Sequence, residues 1–435
     1  MIKQLNETVL FVMKKIENSG FSSYIAGGTV RELLMNETPA SYILITTAKK
    51  TDIRMLFKKT TEQSNTKNLI SVIENKIAFD IYCKSEGNSD NEKHIKDILK
   101  SFDFTMNSLC FNEKSGIIDY FGGLKDIEER IIKLVDLSQL ALAKKPERML
   151  RAVRYSAQLG FEIDETTAIE IKKCAILIKR AQGNKLREEI EKILMSNNPD
   201  YIKKASDLGL LKYILPEVDV CFGVEQRNKY HIYNVGEHIV HAVKNTPNDI
   251  SIRWAALLHD IGKPLCKSVD QNGIIHFYGH HRESVRLATD ILRRFKIDAS
   301  ITKEILTLVE CHDIRIDATP QSVKKMMMRT SAEVFPKLLL LQEADNKAKN
   351  MKFFADKLNK LNDVRKIYQK VIAERHPYRV CDLAINGRDL NKLGFRPGHE
   401  IGDALQSLLE EVLIDPGLNT REYLFARAKQ IKKRK

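Results

Sequence analysis

Between residue 1 and about residue 130, the rhythm of hydrophobic and polar positions changes repeatedly. Short β-rich runs occur at Tyr24-Ile25-Ala26, Tyr42 to Thr46, Leu69 to Val72 and Ile77 to Cys83, with helical stretches between them at Val30 to Met35 and Asp52 to Phe57. This mixture predicts a small α+β head. From about residue 137 the period is helical nearly everywhere, with apolar residues at i, i+3, i+4 and i+7. Examples are Met149 to Leu159, Leu186 to Leu194, Ile252 to Ile261, Ser284 to Phe295 and Ile401 to Val412. Breaks fall near Asn197-Asn198-Pro199, Asn228-Lys229-Tyr230, Thr246-Pro247-Asn248 and His376-Pro377. The expected fold class is therefore α+β, a small mixed head followed by a long all-α body, and no fixed-period repeat is visible.

No apolar run approaches the roughly 20 residues needed to span a bilayer; even Leu338 to Leu341 is interrupted by charge within a few residues. The first residues intersperse Lys3, Glu7, Lys14 and Lys15 among apolar positions, which predicts an amphipathic helix and not a signal peptide. A cytoplasmic protein with no membrane partner is expected. The seven cysteines are spread singly, without a C-x-x-C pair, and are expected to be reduced and mostly buried. Lys and Arg exceed Asp and Glu by 14. That excess favours a polyanionic partner, because each phosphate neutralised releases counterions. The segment Lys429-Gln-Ile-Lys432-Lys433-Arg434-Lys435 concentrates it into a phosphate-contacting tail.

Two places carry chemistry. Ala26-Gly27-Gly28-Thr29-Val30-Arg31-Glu32 reads as a strand, a Gly-Gly turn and a helix start. The glycines admit a phosphate close to the backbone, the helix N-terminus offers free N–H groups, and Arg31 is placed to hold the phosphate bidentately. Further on, Trp254-Ala-Ala-Leu-Leu-His259-Asp260-Ile261-Gly262-Lys263 is an apolar helix ending in adjacent His and Asp. Eight of the eleven histidines fall between 231 and 312, including His238, His280, His281 and His312. Imidazole with carboxylate suits manganese or a transition metal better than calcium.

The head motif continues in order through Asp103-Phe104-Thr105-Met106-Asn107, Asp119-Tyr-Phe-Gly122-Gly123, Arg148-Met-Leu-Arg151-Ala-Val-Arg154-Tyr155, Leu215-Pro216-Glu217 and Leu418-Asn419-Thr420-Arg421-Glu422. This series resembles the class II tRNA nucleotidyltransferases, the CCA-adding enzyme and poly(A) polymerase family. The resemblance implies a nucleotidyltransferase head (1–135), a helical neck binding nucleotide and RNA (136–226), and a helical body with a basic tRNA-binding tail (351–435). It implies tRNA or another structured RNA as partner, ATP and CTP at the head, and Gly27, Gly28, Arg31, Asp103, Asn107, Arg148, Arg151 and Arg154 as nucleotide- or RNA-binding residues. The segment 227–350 resembles the HD metal-dependent phosphohydrolases. That pattern implies His238, His259, Asp260 and Asp345 as ligands of a divalent ion (Mg, Mn or a transition metal), and His280 and His312 for a second ion or a phosphate. It makes His259, Asp260 and Lys263 the expected catalytic group, with Lys263 offsetting phosphate charge. His231, at a loop edge, is the weaker alternative to His238.

The chain departs from the transferase pattern where chemistry would occur. Aligned without a gap from Gly27, the family's metal-binding D-x-D pair falls on Ser41 and Ile43, while Asp80 matches the third carboxylate. The family's Arg-Arg is Ser101-Phe102, its Glu-Asp-x-x-Arg is Lys144-Lys145-Pro146-Glu147-Arg148, and its later Glu-Arg is Asn184-Lys185. A lysine cannot accept a hydrogen bond from a base amino group as a carboxylate does. Three readings follow. The first is a tRNA-binding protein with a degenerate head and working HD chemistry. The second is an active CCA-adding enzyme using displaced carboxylates such as Glu32, Glu37 or Asp52. The third is a non-catalytic RNA-binding subunit.

Overall fold

Seven strands build one sheet in the first part of the chain: Ser23–Ala26 (β1), Tyr42–Thr46 (β2), Thr60–Thr61 (β3), Leu69–Glu74 (β4), Ile77–Tyr82 (β5), Leu109–Asn112 (β6) and Gly116–Asp119 (β7). Their order is β3-β4-β5-β2-β1-β6-β7. The structure is a computed structural model that describes residues 5–62, 68–85, 90–226, 232–350, 352 and 354–434. Within the sheet β2 and β5 run parallel, pairing Ile43 with Asp80, and the other neighbours run antiparallel. Strand β4 turns into β5 through Asn75 and Lys76, both at positive φ (46° and 66°), which matches a two-residue turn to the twist of its strands.

Both faces of the sheet are covered. Val9, Val12, Met13 and Ile16 of the helix Glu7–Glu17 pack with Ile25, Leu44, Phe79 and Ile81 on one side. Ile95, Ile98 and Leu99 of the helix Asn91–Lys100 pack with Tyr24, Ala26, Ile45 and Cys110 on the other. A strand buried on both faces shows no alternation, which is why β1 reads as a continuous buried run.

The fold divides into two compact units, Met1–Gln182 with Asp207–Tyr213, and Gly183–Ser206 with Ile214–Lys435. In the second unit, the helices Val235–Lys244, Ile250–Leu258, His280–Arg294, Ala299–Cys311 and Phe335–Lys347 pack against one another. Asn234 and Glu237 close a reciprocal capping box that starts the first of these, and Asp249 caps the second through the Ser251 and Ile252 N–H groups. Arg253 is buried and donates to the carbonyls of Leu194, Ser196 and Pro247, so its charge enters the interior bonded to the backbone.

A separate apolar core near the C-terminus joins Leu408, Leu409 and Val412 to Leu424 and Ala428. The basic tail is thus a helix, Arg421–Arg434, with one side anchored, and Lys432 pairs with Glu400 at 2.6 Å. Lys435 and Lys3 lie outside the described residues. Among the described residues no helix is long and apolar enough to cross a membrane.

The helical rhythm predicted after residue 137 is interrupted. Ser268–Val269 (β8) and Ile275–His276 (β9) form an antiparallel hairpin. Asp270 makes its turn, accepting the Asn272 and Ile274 N–H groups, with Gly273 at φ 75°. The helix through Trp254 stops at Leu258 instead of Ile261. In the head, β6, β7 and the helix Asn91–Lys100 lie in stretches where no element was predicted.

Candidate functional site

A helix that ends leaves carbonyls without intrahelical donors, and this chain places histidines there. His259 follows the helix Ile250–Leu258 and its Nδ1 lies 2.8 Å from the Ala256 carbonyl. His312 follows Ala299–Cys311 with its Nδ1 2.7 Å from the Val309 carbonyl. His280 Nδ1 sits 2.9 Å from the Phe277 carbonyl, and His238 Nδ1 lies 3.2 Å from the Ala348 carbonyl. Each ring thus faces a carbonyl with Nδ1, the nitrogen that must carry a proton to bond it, and turns Nε2 toward the cluster.

The four Nε2 atoms converge. His238 and His259 face each other at 3.3 Å, as do His280 and His312. Asp260 links the two pairs. Its Oδ2 is 3.2 Å from His238 Nε2 and 3.1 Å from His259 Nε2, and its Oδ1 is 3.2 Å from His280 Nε2 and 3.6 Å from His312 Nε2. Asp345 joins the first pair, with Oδ1 3.0 Å from His238 and 3.7 Å from His259. Two groups of metal-ligand spacing result, His238-His259-Asp260 and Asp260-His280-His312. Imidazole nitrogens and carboxylate oxygens at this spacing are a donor set that fits a divalent ion at each group. All six residues that the sequence assigned to metal are thereby brought together.

Two further groups at the cluster, Lys349 and Gln226, were not anticipated. Lys349 pairs with Asp345 at 2.5 Å, and Lys263 pairs with Asp260 at 2.6 Å while donating to Gln226 Oε1 at 2.8 Å. Lys263, expected to offset phosphate charge, lines the cavity beside the cluster with its ammonium buried and paired to Asp260. Burial raises the Asp260 carboxyl, but His259 and Lys263 overcome it and hold it well below the usual range. Burial pushes His259 down. Gly262 lets the dyad's turn meet the next helix, since a Cβ there would lie 2.4 Å from the His280 carbonyl. A cavity of about 410 Å³ opens onto Asp260, His280, His312 and Asp345. His241 stacks on Tyr233 and takes no part, and His231 lies outside the described residues.

In the head, Gly27 has φ 70°, and a Cβ there would meet Ile43 at 3.1 Å and Phe102 at 3.7 Å. Gly28 opens the helix Gly28–Leu34. Thr29 Oγ1 pins β2 by donating to the Ser41 carbonyl and accepting from the Ile43 N–H. The wall where the D-x-D pair was sought thus presents an exposed Ser41 and the aliphatic Ile43. Asp80, across the β2–β5 pair, accepts from Ser71 at 2.6 Å. Glu32 is engaged through both oxygens, by Arg31 and by the Ala40 N–H, and Asp52 caps its own helix. Among the described residues no three His, Cys, Asp or Glu side chains gather at metal-ligand spacing in the head.

The cationic residues of the head are tied together. Arg31 donates to Asn107 at 2.5 Å and lies over the Tyr155 ring, which Arg154 also covers at 4.1 Å. Asp103 gathers Arg148, at 2.5 Å, and Arg151. Tyr155 was not foreseen as the shared platform. Burial alone would raise the Asp103 carboxyl, yet Arg151 and Arg148 hold it below its ordinary value. A depressed carboxyl stabilises the fold above its unfolded pKa and loses that contribution as pH falls through the folded one. Asp103→Asn is therefore expected to cost about 2–3 kcal/mol near pH 7. In urea melts the gap from the wild type should close below about pH 4; a gap independent of pH would refute the pairing.

Comparison with known proteins places these features. Residues 23–133 match the family described as "Poly A polymerase head domain", 160–222 "Probable RNA and SrmB- binding site of polymerase A", and 278–428 tRNA nucleotidyltransferase domain 2. An A-adding tRNA nucleotidyltransferase of Deinococcus radiodurans is 29% identical over 332 residues, 73% of this chain and 75% of that one. A CCA-adding enzyme of Latilactobacillus sakei is 23% identical over 96% of both. Among solved structures, the Bacillus stearothermophilus CCA-adding enzyme in complex with CTP superposes with a TM-score of 0.70 at 20% identity, covering 98% of this chain and 97% of that one. The Thermotoga maritima CCA-adding enzyme complexed with tRNA gives 0.64 at 19% identity, covering 99% and 97%. At such identities the structural likeness speaks for the fold.

Proposed function

The chain belongs to the class II tRNA nucleotidyltransferase family, and from that premise we propose that it binds tRNA 3′ ends, that its transferase head is degenerate, and that its working chemistry is metal-dependent phosphoester hydrolysis in the HD segment. One observation carries this: four histidines whose Nδ1 atoms are fixed on carbonyls converge through Nε2 on the two oxygens of Asp260. His238, His259, Asp260 and Asp345 would hold one divalent ion, and His280 and His312 with Asp260 a second. Such ions supply Lewis acidity and an activated water. Lys263 and Lys349 balance the two carboxylates and keep them aimed, and the flanking cavity admits the phosphoester. The substrates that fit the family's role are 2′,3′-cyclic or terminal phosphates at RNA 3′ ends.

In the head, the wall around Ser41 and Ile43 supports the degenerate reading. Asp80 alone cannot hold two ions, and the carboxylates of Glu32 and Asp52 are already bonded. Gly27, Gly28, Arg31, Asp103, Asn107 and the arginines 148, 151 and 154 are left to bind nucleotide or RNA. The test is metal analysis of the purified protein together with hydrolysis of bis(p-nitrophenyl) phosphate and of a 2′,3′-cyclic nucleotide, with manganese, cobalt or magnesium. Retention of up to two ions, one for each group, and hydrolysis abolished by a chelator are expected. A protein that holds no metal and cleaves neither ester would refute the proposal.

A further inference from the structure

The stretch from Ile275 to His281 both supports the cluster and borders its cavity. The Phe277 carbonyl fixes His280 through Nδ1, and the Phe277 ring lies 5.4 Å from the Lys263 ammonium. Gly279, at φ 75°, turns the chain directly from Tyr278 into the helix that begins with His280. The rim is therefore fastened to the metal-ligand scaffold by one residue of backbone.

Tyr278 lines the cavity yet is 77% exposed. Its ring is held in a defined plane, parallel to His276 with centroids 5.2 Å apart and an interplanar angle of 8°. Its hydroxyl lies 3.3 Å from His276 Nδ1, and His276 Nε2 lies 2.9 Å from Asp270 Oδ2. Asp270 is itself fixed by the hairpin turn it forms. The result is an aromatic plate backed on one side, largely open to solvent, and oriented by a chain of polar contacts. A planar π-face displayed beside a phosphoester site is what base stacking uses, and stacking tolerates any base because every base has such a face.

We propose that Tyr278, backed by His276, is the stacking platform for the base of a nucleotide whose phosphoester is hydrolysed at the His-Asp cluster. The inference rests on the hydrolase reading above and narrows its substrate to phosphoesters next to a nucleobase. In the reaction, water oxygen bonds to phosphorus, the bond from phosphorus to the sugar oxygen breaks, and that oxygen takes a proton. Two sources share this chemistry, a free nucleotide and the last nucleotide of an RNA. A second cavity of about 520 Å³ shares His312, Asp313, Asp345 and Lys349 with the first and continues past Lys360, leaving room for a chain beyond the terminal nucleotide.

The experiment measures kcat/KM of the full chain on adenosine 3′-phosphate, on an oligoribonucleotide ending in a 3′-phosphate, and on glycerol 2-phosphate, which has no base. In Tyr278→Ala the preference for a base-bearing ester over glycerol 2-phosphate should fall about tenfold, through KM and not kcat. Tyr278→Phe should keep it. The base-bearing ester with the larger fall identifies the source. A preference equal in wild type and Tyr278→Ala overturns the platform while leaving the hydrolase reading intact. A wild type that hydrolyses none of the three overturns the platform, and one that also fails on a 2′,3′-cyclic nucleotide and on bis(p-nitrophenyl) phosphate takes the hydrolase reading down with it.

Discussion

Asp260→Asn should abolish phosphoester hydrolysis and strip the protein of metal. Losing an outer partner of a metal ligand costs about 10–100-fold. Asp260 is the one residue common to both ligand groups, each of its oxygens facing a different histidine pair, so the loss should be larger, about a thousandfold or more. The amide keeps the shape but presents its NH2 to one pair of imidazole lone pairs, and it leaves Lys263 with Gln226 alone. Metal content by mass spectrometry and initial rates on bis(p-nitrophenyl) phosphate check the prediction, with a melting curve to establish folding. A folded variant with undiminished metal would remove Asp260 from its central place.

The second large effect is a missing one. Labelled CTP and ATP should not enter tRNA lacking its 3′ CCA, with magnesium or manganese, even though the tRNA is bound in a gel-shift assay. Two-metal catalysis lowers the barrier by several kcal/mol, so incorporation should run at least about a thousandfold below that of an intact relative. Asp80→Ala should leave any background where it was. Clean addition would mean that carboxylates such as Glu32 or Asp52 leave their present partners and assemble a metal site.

The cluster was legible because its ligands carry local marks. An apolar helix ending in His-Asp-x-Gly declares where a dyad sits, and His238, set within a helical run, lies where a rigid ligand is needed. Lys349 and Gln226 carried no such mark, since a lysine after a helix and a glutamine before a loop look like ordinary surface residues. Lys349 meets Asp345 locally, four residues on and just past the end of the same helix, whereas Gln226 reaches Lys263 only through the packing of a remote segment. The hairpin at 268–276 was missed because each strand has two residues, too few to show an alternation, although Asp270 and Gly273 were turn signals. In the head, β1 and β2 announced themselves as apolar runs. Strands β6 and β7 hid because polar residues such as Asn112 and Asp119 occupy their ends. The tying of Asp103 to Arg148 and Arg151 depends on tertiary placement that no spacing encodes.

The four imidazoles are aimed by backbone carbonyls. Each ring therefore takes its direction from the backbone, whereas the ligands of a zinc finger gather only around the metal. On the proposed hydrolase reading, the ion held there would be the divalent one most available, weighted by the intrinsic order of affinities. On that reading one polypeptide would serve different ions without refolding.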